Sequence, residues 1–205
     1  MLKTLFVILM MLSASICVAD QPCENLAKKV LESKGDQSKL WMLSICKAKP
    51  DDVGKTILVV DHQIFLVDSK SGDIFSQGEP GTAPDFIERI DTGRYWLAPK
   101  VRAFGLRTYE YRPHYQAGET LYALNLYITE GSRIRPVLEG LAIGYSISST
   151  ECNEKDECTE NQSNQNVTID IAKTSHHGFA DLIVSGRLLS YDGTKYVVPD
   201  DLLQQ

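Results

Sequence analysis

Hydrophobic and polar positions change their rhythm twice along this chain. A continuous apolar run from Leu5 to Leu12 follows the single basic residue Lys3 and gives way to small residues around Cys17-Val18-Ala19. That order of basic, apolar and small segments predicts a cleavable secretory leader over residues 1–19, because the apolar stretch is shorter than the roughly 18 to 20 residues that span a bilayer. Between Cys23 and Ser33, Leu26, Val30 and Leu31 then recur at helical spacing, with Lys28, Lys29 and Glu32 on the other side. Gln37 to Lys47 repeats the pattern with Leu40, Leu43 and Ile45. Two helices are expected here. Gly35 is suited to end the first and Asp36 to cap the second, so residues 20–50 read as an antiparallel helical hairpin.

From Lys55 the rhythm becomes extended. Lys55 to Asp61 and Gln63 to Asp68 are rich in Ile, Val, Leu and Phe, and Ser69-Lys70-Ser71-Gly72 supplies a turn before Asp73 to Gln77. Gly78, Pro80, Gly81 and Pro84 mark a loop. Further strands are expected at Phe86 to Asp91, Arg94 to Ala98, Val101 to Arg112, Thr120 to Thr129, Arg133 to Leu138, Leu141 to Ser149, Val167 to Lys173, Ala180 to Leu189 and Lys195 to Val198. Short turns without helical patterns between them imply antiparallel pairing. Leu121 to Ile128 is apolar on both faces and should be central, whereas Val167-Thr168-Ile169-Asp170-Ile171 alternates and should have one wet face. Glu151 to Gln165 is polar throughout and reads as an exposed excursion rather than an EF-hand calcium loop, whose acidic spacing and central Gly it lacks. The fold class is therefore α+β, mainly β: a disulfide-closed helical hairpin, then residues 51–205 as about ten antiparallel strands in a sandwich or open barrel.

Cysteine usage ties the two parts to a compartment. Beyond Cys17 in the leader the chain holds Cys23, Cys46, Cys152 and Cys158. An even number in an exported chain predicts two disulfides. Of the three possible connectivities we expect Cys23 with Cys46 and Cys152 with Cys158, since each pair ends a segment that should fold back on itself. Neither a Cys-x-x-Cys nor a Cys/His cluster at zinc spacing is present, so no metal and no cofactor is expected. A formal charge of −6 argues against nonspecific nucleic-acid binding. No segment after the leader is apolar for long enough to make an integral membrane protein, and the expected location is periplasmic or secreted.

Ile64 to Phe75, with its turn Asp68-Ser69-Lys70-Ser71-Gly72, resembles the outer hairpin of a β-propeller blade. Gly178-Phe179-Ala180-Asp181-Leu182-Ile183-Val184 and Tyr191-Asp192-Gly193-Thr194-Lys195-Tyr196 are similar to segments of uncharacterised exported bacterial proteins. The resemblance covers about thirty residues and implies a periplasmic setting and an all-β body, with no catalytic motif; the chain lacks the internal repeat of a full propeller.

The usual catalytic patterns are missing. There is no Gly-x-Ser-x-Gly elbow, and Gly144-Tyr145-Ser146 falls inside an expected strand. His176 and His177 point to opposite faces of a strand unless a turn at Gly178 intervenes; a composite site with His62 and His114 would need the fold to gather them. Carboxylates suited to glycoside hydrolysis cannot be singled out by sequence. One regional bias stands out. Tyr95, Trp96, Phe104, Tyr109, Tyr111, Tyr115, Tyr122 and Tyr127 fall in one stretch with Arg94, Arg102, Arg107 and Arg112. Tyr, Trp and Arg combine large contact area with a polar handle and are enriched in binding surfaces. Alternation along Val101 to Arg112 puts Arg107, Tyr109 and Tyr111 on one face, extended by His114 and Tyr115 in the following loop. These five residues are the expected contact surface, for an envelope protein or a glycan. The reading is a non-enzymatic binding protein of inhibitor or immunity type; an envelope hydrolase acting on cell-wall glycan or peptide and a structural envelope component are the alternatives.

Overall fold

The computed structural model describes residues 21–36, 43–81, 86–114, 117–153, 158–199 and 202. The expected leader therefore lies outside the described residues, as do Tyr115 and most of the second expected helix.

Helix α1 spans Gln21–Ser33. Cys23, Leu26, Ala27, Val30 and Leu31 are all buried, a stripe at positions i, i+3, i+4, i+7 and i+8. Gly35, at φ 75°, ends the helix. The Gly35 N–H donates to Glu32 O and the Asp36 N–H to Leu31 O, the paired bonds of a Schellman cap.

Twelve strands follow among the described residues: β1 Cys46–Asp52, β2 Lys55–Val60, β3 Gln63–Asp68, β4 Ile74–Gly78, β5 Phe86–Ala98, β6 Val101–His114, β7 Ala117–Glu130, β8 Arg133–Cys152, β9 Cys158–Asn166, β10 Ile169–His176, β11 Phe179–Val184 and β12 Arg187–Leu189. The main sheet runs in the order β1-β2-β3-β4-β8-β7-β6-β5, with β9 added to β8; β10, β11 and β12 make a second, small sheet. The main sheet curls into a nearly closed barrel. Its parallel seam is short, a single register pair Gln77↔Arg133 between β4 and β8. Gly78 allows that approach, because a Cβ there would sit 2.2 Å from Ile134 O. At the other seam β1 lies beside β5, and the Arg102 guanidinium donates to the carbonyl and the carboxylate of Asp51.

Strict alternation explains the apolar runs of β2 and β3. Ile57, Val59, Ile64 and Leu66 point into the barrel and pack with Ile87, Ile90, Phe104, Leu106, Tyr127 and Ile134. Leu58, Val60, Phe65 and Val67 point outward and are covered by α1. Both faces are dry, so neither strand shows an alternation of apolar with polar residues. A third cluster joins the outer face of β5, β7 and β8 to the small sheet through Leu97, Leu124, Leu126, Leu138, Leu182, Val184, Tyr191 and Tyr196, among others.

The structure corrects several expectations. Both disulfides pair as expected, Cys23 with Cys46 and Cys152 with Cys158, and point to an oxidising, non-cytoplasmic compartment. The first does not clasp a helical hairpin, however. It ties one helix to a strand, because Cys46 and Lys47 pair with Val60 and Val59 of β2. An apolar β2 without a neighbour would expose its backbone along that side, and this pairing overrides a helical period only eleven residues long. Twelve strands replace about ten. Phe86 to Ala98 is one bulged strand rather than two, and so is Arg133 to Cys152. Ala180 to Leu189 splits into a hairpin at Ser185 and Gly186, both at positive φ. Lys195 to Val198 contributes only the bridge Tyr191↔Tyr196. No helix among the described residues is long and apolar enough to cross a membrane.

Candidate binding face

Beyond the barrel, β6, β7 and β8 continue as a distal sheet with β9. Here Thr120 of β7 pairs with Tyr111 of β6 and Ser146 of β8, which in turn pairs with Asn164 of β9. Glu151 to Gln165 was expected to be an excursion of loop, yet its second half is this strand. All nine residues of β9 are exposed. A strand wet on both sides carries no hydrophobic alternation; pairing with β8 and the Cys152–Cys158 disulfide at its start hold it in place.

One face of this sheet is laid out by register. Phe86, Tyr109, Tyr122, Gly144 and Asn166 form a row across β5 to β9. Phe86 and Tyr109 stack, with ring centroids 5.2 Å apart. The next row holds Tyr111, Thr120, Ser146 and Asn164. Tyr111 is 55% exposed, and its ring lies over Gly118, where a Cβ would come within 2.7 Å of the phenol oxygen. Beside these rows the face hollows into a pocket of about 340 Å³. Arg89, Arg107, Tyr122, Ser146, Gln162, Asn164 and Asn166 line it, with Glu88, Ile143 and Tyr145.

Arg107 is held from behind. Its Nε donates to Asp91 Oδ2 at 2.8 Å, and the Tyr95 hydroxyl donates to the same oxygen at 3.1 Å. Gly93 N–H reaches Asp91 Oδ1 at 2.9 Å. Asp91 sits opposite Gly105, where a Cβ would be 3.3 Å from the Asp91 Cβ and 2.7 Å from Leu124; glycine lets these groups close up. Burial alone would push the Asp91 carboxyl up, but Arg107, Gly93 and Tyr95 together outweigh it and hold the carboxyl below its usual range. Burial raises the Tyr95 phenol, and the Asp91 charge raises it further. Burial also opposes the Arg107 charge, yet Asp91 reverses that and keeps the guanidinium protonated. A guanidinium fixed in this way is preorganised for a ligand.

No protein family, curated protein or solved structure matches the chain. The site must therefore be read from its own chemistry. Arg107, Tyr109 and Tyr111 lie on one face; Arg107 lines the pocket, Tyr109 is half-buried against Phe86, and Tyr111 is exposed. His114 pairs with Ala117 through the backbone, and Tyr115 lies outside the described residues. The other aromatics of the region divide: Tyr95, Phe104 and Tyr127 are core residues, while Trp96 is 50% exposed on β5. Sequence reading missed Arg89, Gln162, Asn164 and Asn166. The i, i+2, i+4 spacing of the three amides was visible, but only a strand assignment for this polar stretch would have put them on one side.

The histidines do not assemble into a composite site. His62 borders a different hollow, near Leu31 and Glu79, and the His114 side chain lies outside the described residues. His176 ends β10, and Nδ1 lies 2.8 Å from the fully buried carboxylate of Asp181. His177, at φ 49°, turns the chain with Gly178. Among the described residues no three His, Cys, Asp or Glu side chains gather as metal ligands. Ser146 lies in mid-strand, its hydroxyl 3.4 Å from the Gln162 amide.

Proposed function

We propose that this is a non-enzymatic binding protein of the periplasm or the secreted compartment, holding an envelope protein or glycan on the Tyr/Arg face of the distal sheet. The observation that carries this reading is Arg107, locked by Asp91 and Tyr95 at the rim of a pocket whose far wall is a ladder of side-chain amides. Such a wall binds by hydrogen bonds and contact area. Ser146 faces an amide rather than a base, which favours binding over hydrolysis. Flat aromatic rings at Phe86, Tyr109 and Tyr111 extend the contact surface at low entropic cost.

The test uses the mature protein and its Tyr111→Ala/Asn164→Ala variant, both substitutions at exposed positions, incubated with purified cell-wall sacculi and, separately, with detergent-extracted envelope proteins. One of the two fractions should retain the wild type and lose the variant, with equal urea midpoints for both proteins. Equal retention of the variant in each fraction would overturn the assignment of this face.

A further inference from the structure

We infer that the pocket takes an acidic saccharide, with a sugar carboxylate on the paired arginines and ring hydroxyls on the amide wall of β9. The inference rests on the binding reading above and adds the ligand class.

The arginines carry the first half. Arg89 stands directly opposite Arg107 in the β5–β6 register, and both face the pocket. Like charges at directly paired positions destabilise a sheet. Asp91 answers only one of them, through the Nε edge of Arg107; Arg89 is exposed and has no ion-pair partner among the described residues. The mismatch is relieved by an anion placed between the two planar forks, and a carboxylate fits such forks with two parallel hydrogen bonds.

The opposite wall carries the second half. Gln162, Asn164 and Asn166 alternate along β9 and so project from one side. Each amide offers donors and an acceptor, as does the Ser146 hydroxyl, and a sugar hydroxyl both donates and accepts. Glu88, in the β5 bulge, adds an acceptor at the rim. Tyr122 gives the floor a flat ring. A peptide is the poorer fit. Peptide hot spots fill desolvated apolar pockets, and here Ile143, Tyr122 and Tyr145 are set among seven charged or polar residues.

The test measures binding of oligogalacturonate and of its fully methyl-esterified counterpart to the mature protein by isothermal titration calorimetry. The acid form should bind, and the ester should lose about tenfold or more, the scale of one charge-assisted hydrogen bond. Arg89→Gln should weaken the acid form more than the ester, because only Arg107 then remains to receive the carboxylate, whereas Asn164→Ala should weaken both ligands. Equal binding of acid and ester would overturn the carboxylate assignment, as would equal competition by inorganic phosphate. Should neither saccharide bind while the Tyr111→Ala/Asn164→Ala variant still loses envelope retention, the ligand class is wrong and the binding face stands. If retention is also indifferent to that variant, the face itself is wrong.

Discussion

Replacing Cys23 and Cys46 together by alanine tests how the helix is held to the barrel. The bond joins residues separated by 23 positions. In the chain-entropy account, freeing a loop of that length returns about 3.4 kcal/mol to the unfolded state. The helix does not depend on the bond alone: Leu26, Ala27, Val30 and Leu31 bury against Leu58, Val60, Phe65 and Val67, all of them buried. Undocking would bare the outer face of two central strands. The helix should therefore stay docked in the variant, and the loss should appear as global stability rather than local fraying. Urea unfolding measures this directly. With a slope of roughly 2 kcal/mol/M for a chain of this size, the midpoint should fall by about 1.7 M with the slope unchanged. On heating, the same loss corresponds to about 7–14 °C. A midpoint shift below about 0.5 M would refute the loop-closure reasoning. A slope that falls with the midpoint would show instead that the native variant has shed its helix.

Two further outcomes follow from buried polar contacts. Tyr127 is fully buried and its hydroxyl donates to Pro80 O at 2.6 Å. Tyr127→Phe should cost about 1–2 kcal/mol by leaving that carbonyl without its donor, measured by urea unfolding; a neutral result would mean that water replaces the phenol. Asp91 gives a pH dependence. Its folded carboxyl lies below the ordinary value despite burial, so the stability it contributes is complete above about pH 4, the unfolded range, and is lost as pH falls toward the folded value. Asp91→Asn should lower stability at pH 7 by about 1 kcal/mol and by less at acid pH, where the folded carboxyl is protonated. An equal deficit at both pH values would remove the charge of Asp91 from the account.

Legibility followed burial. Helix α1, β2, β3, β6 and the centre of β7 were readable because each buries a face, and the buried positions print a period in the sequence. Gly35 was readable as a helix stop because only a left-handed residue makes the two capping bonds seen there. The disulfide partners were also readable, although a strand, not a helix, brings Cys46 to Cys23. β1 and β9 escaped for a common cause. Both lie on the rim of the main sheet and have few buried side chains, so backbone pairing specifies them and composition does not. The candidate site was half legible for the same reason. Arg107, Tyr109 and Tyr111 lie on a strand with a recognisable alternation, whereas the amides opposite lie on the strand that has none.

That division bears on where a ligand can be held. Ile57, Phe104, Leu106, Tyr127 and their neighbours fill the inside of the barrel, so it is a core and not a cup of the kind that larger or emptier barrels present. Helix α1 covers one outer flank and the small sheet another. The strands β6 to β8 outrun these covers, and there, among the described residues, a sheet face stays wet while its geometry is fixed at both ends, by the barrel below and by the Cys152–Cys158 bond above. A face of this kind is stiff because its backbone is paired, and it is open to a ligand because none of the described elements packs over it. The like-charged pair Arg89 and Arg107 makes sense in the same place. In the core it would be prohibitive; at the wet margin, with Asp91 behind one member, water moderates the repulsion in the free protein, and an incoming anion relieves the rest by meeting two guanidinium donors, of which Arg107 is already aimed.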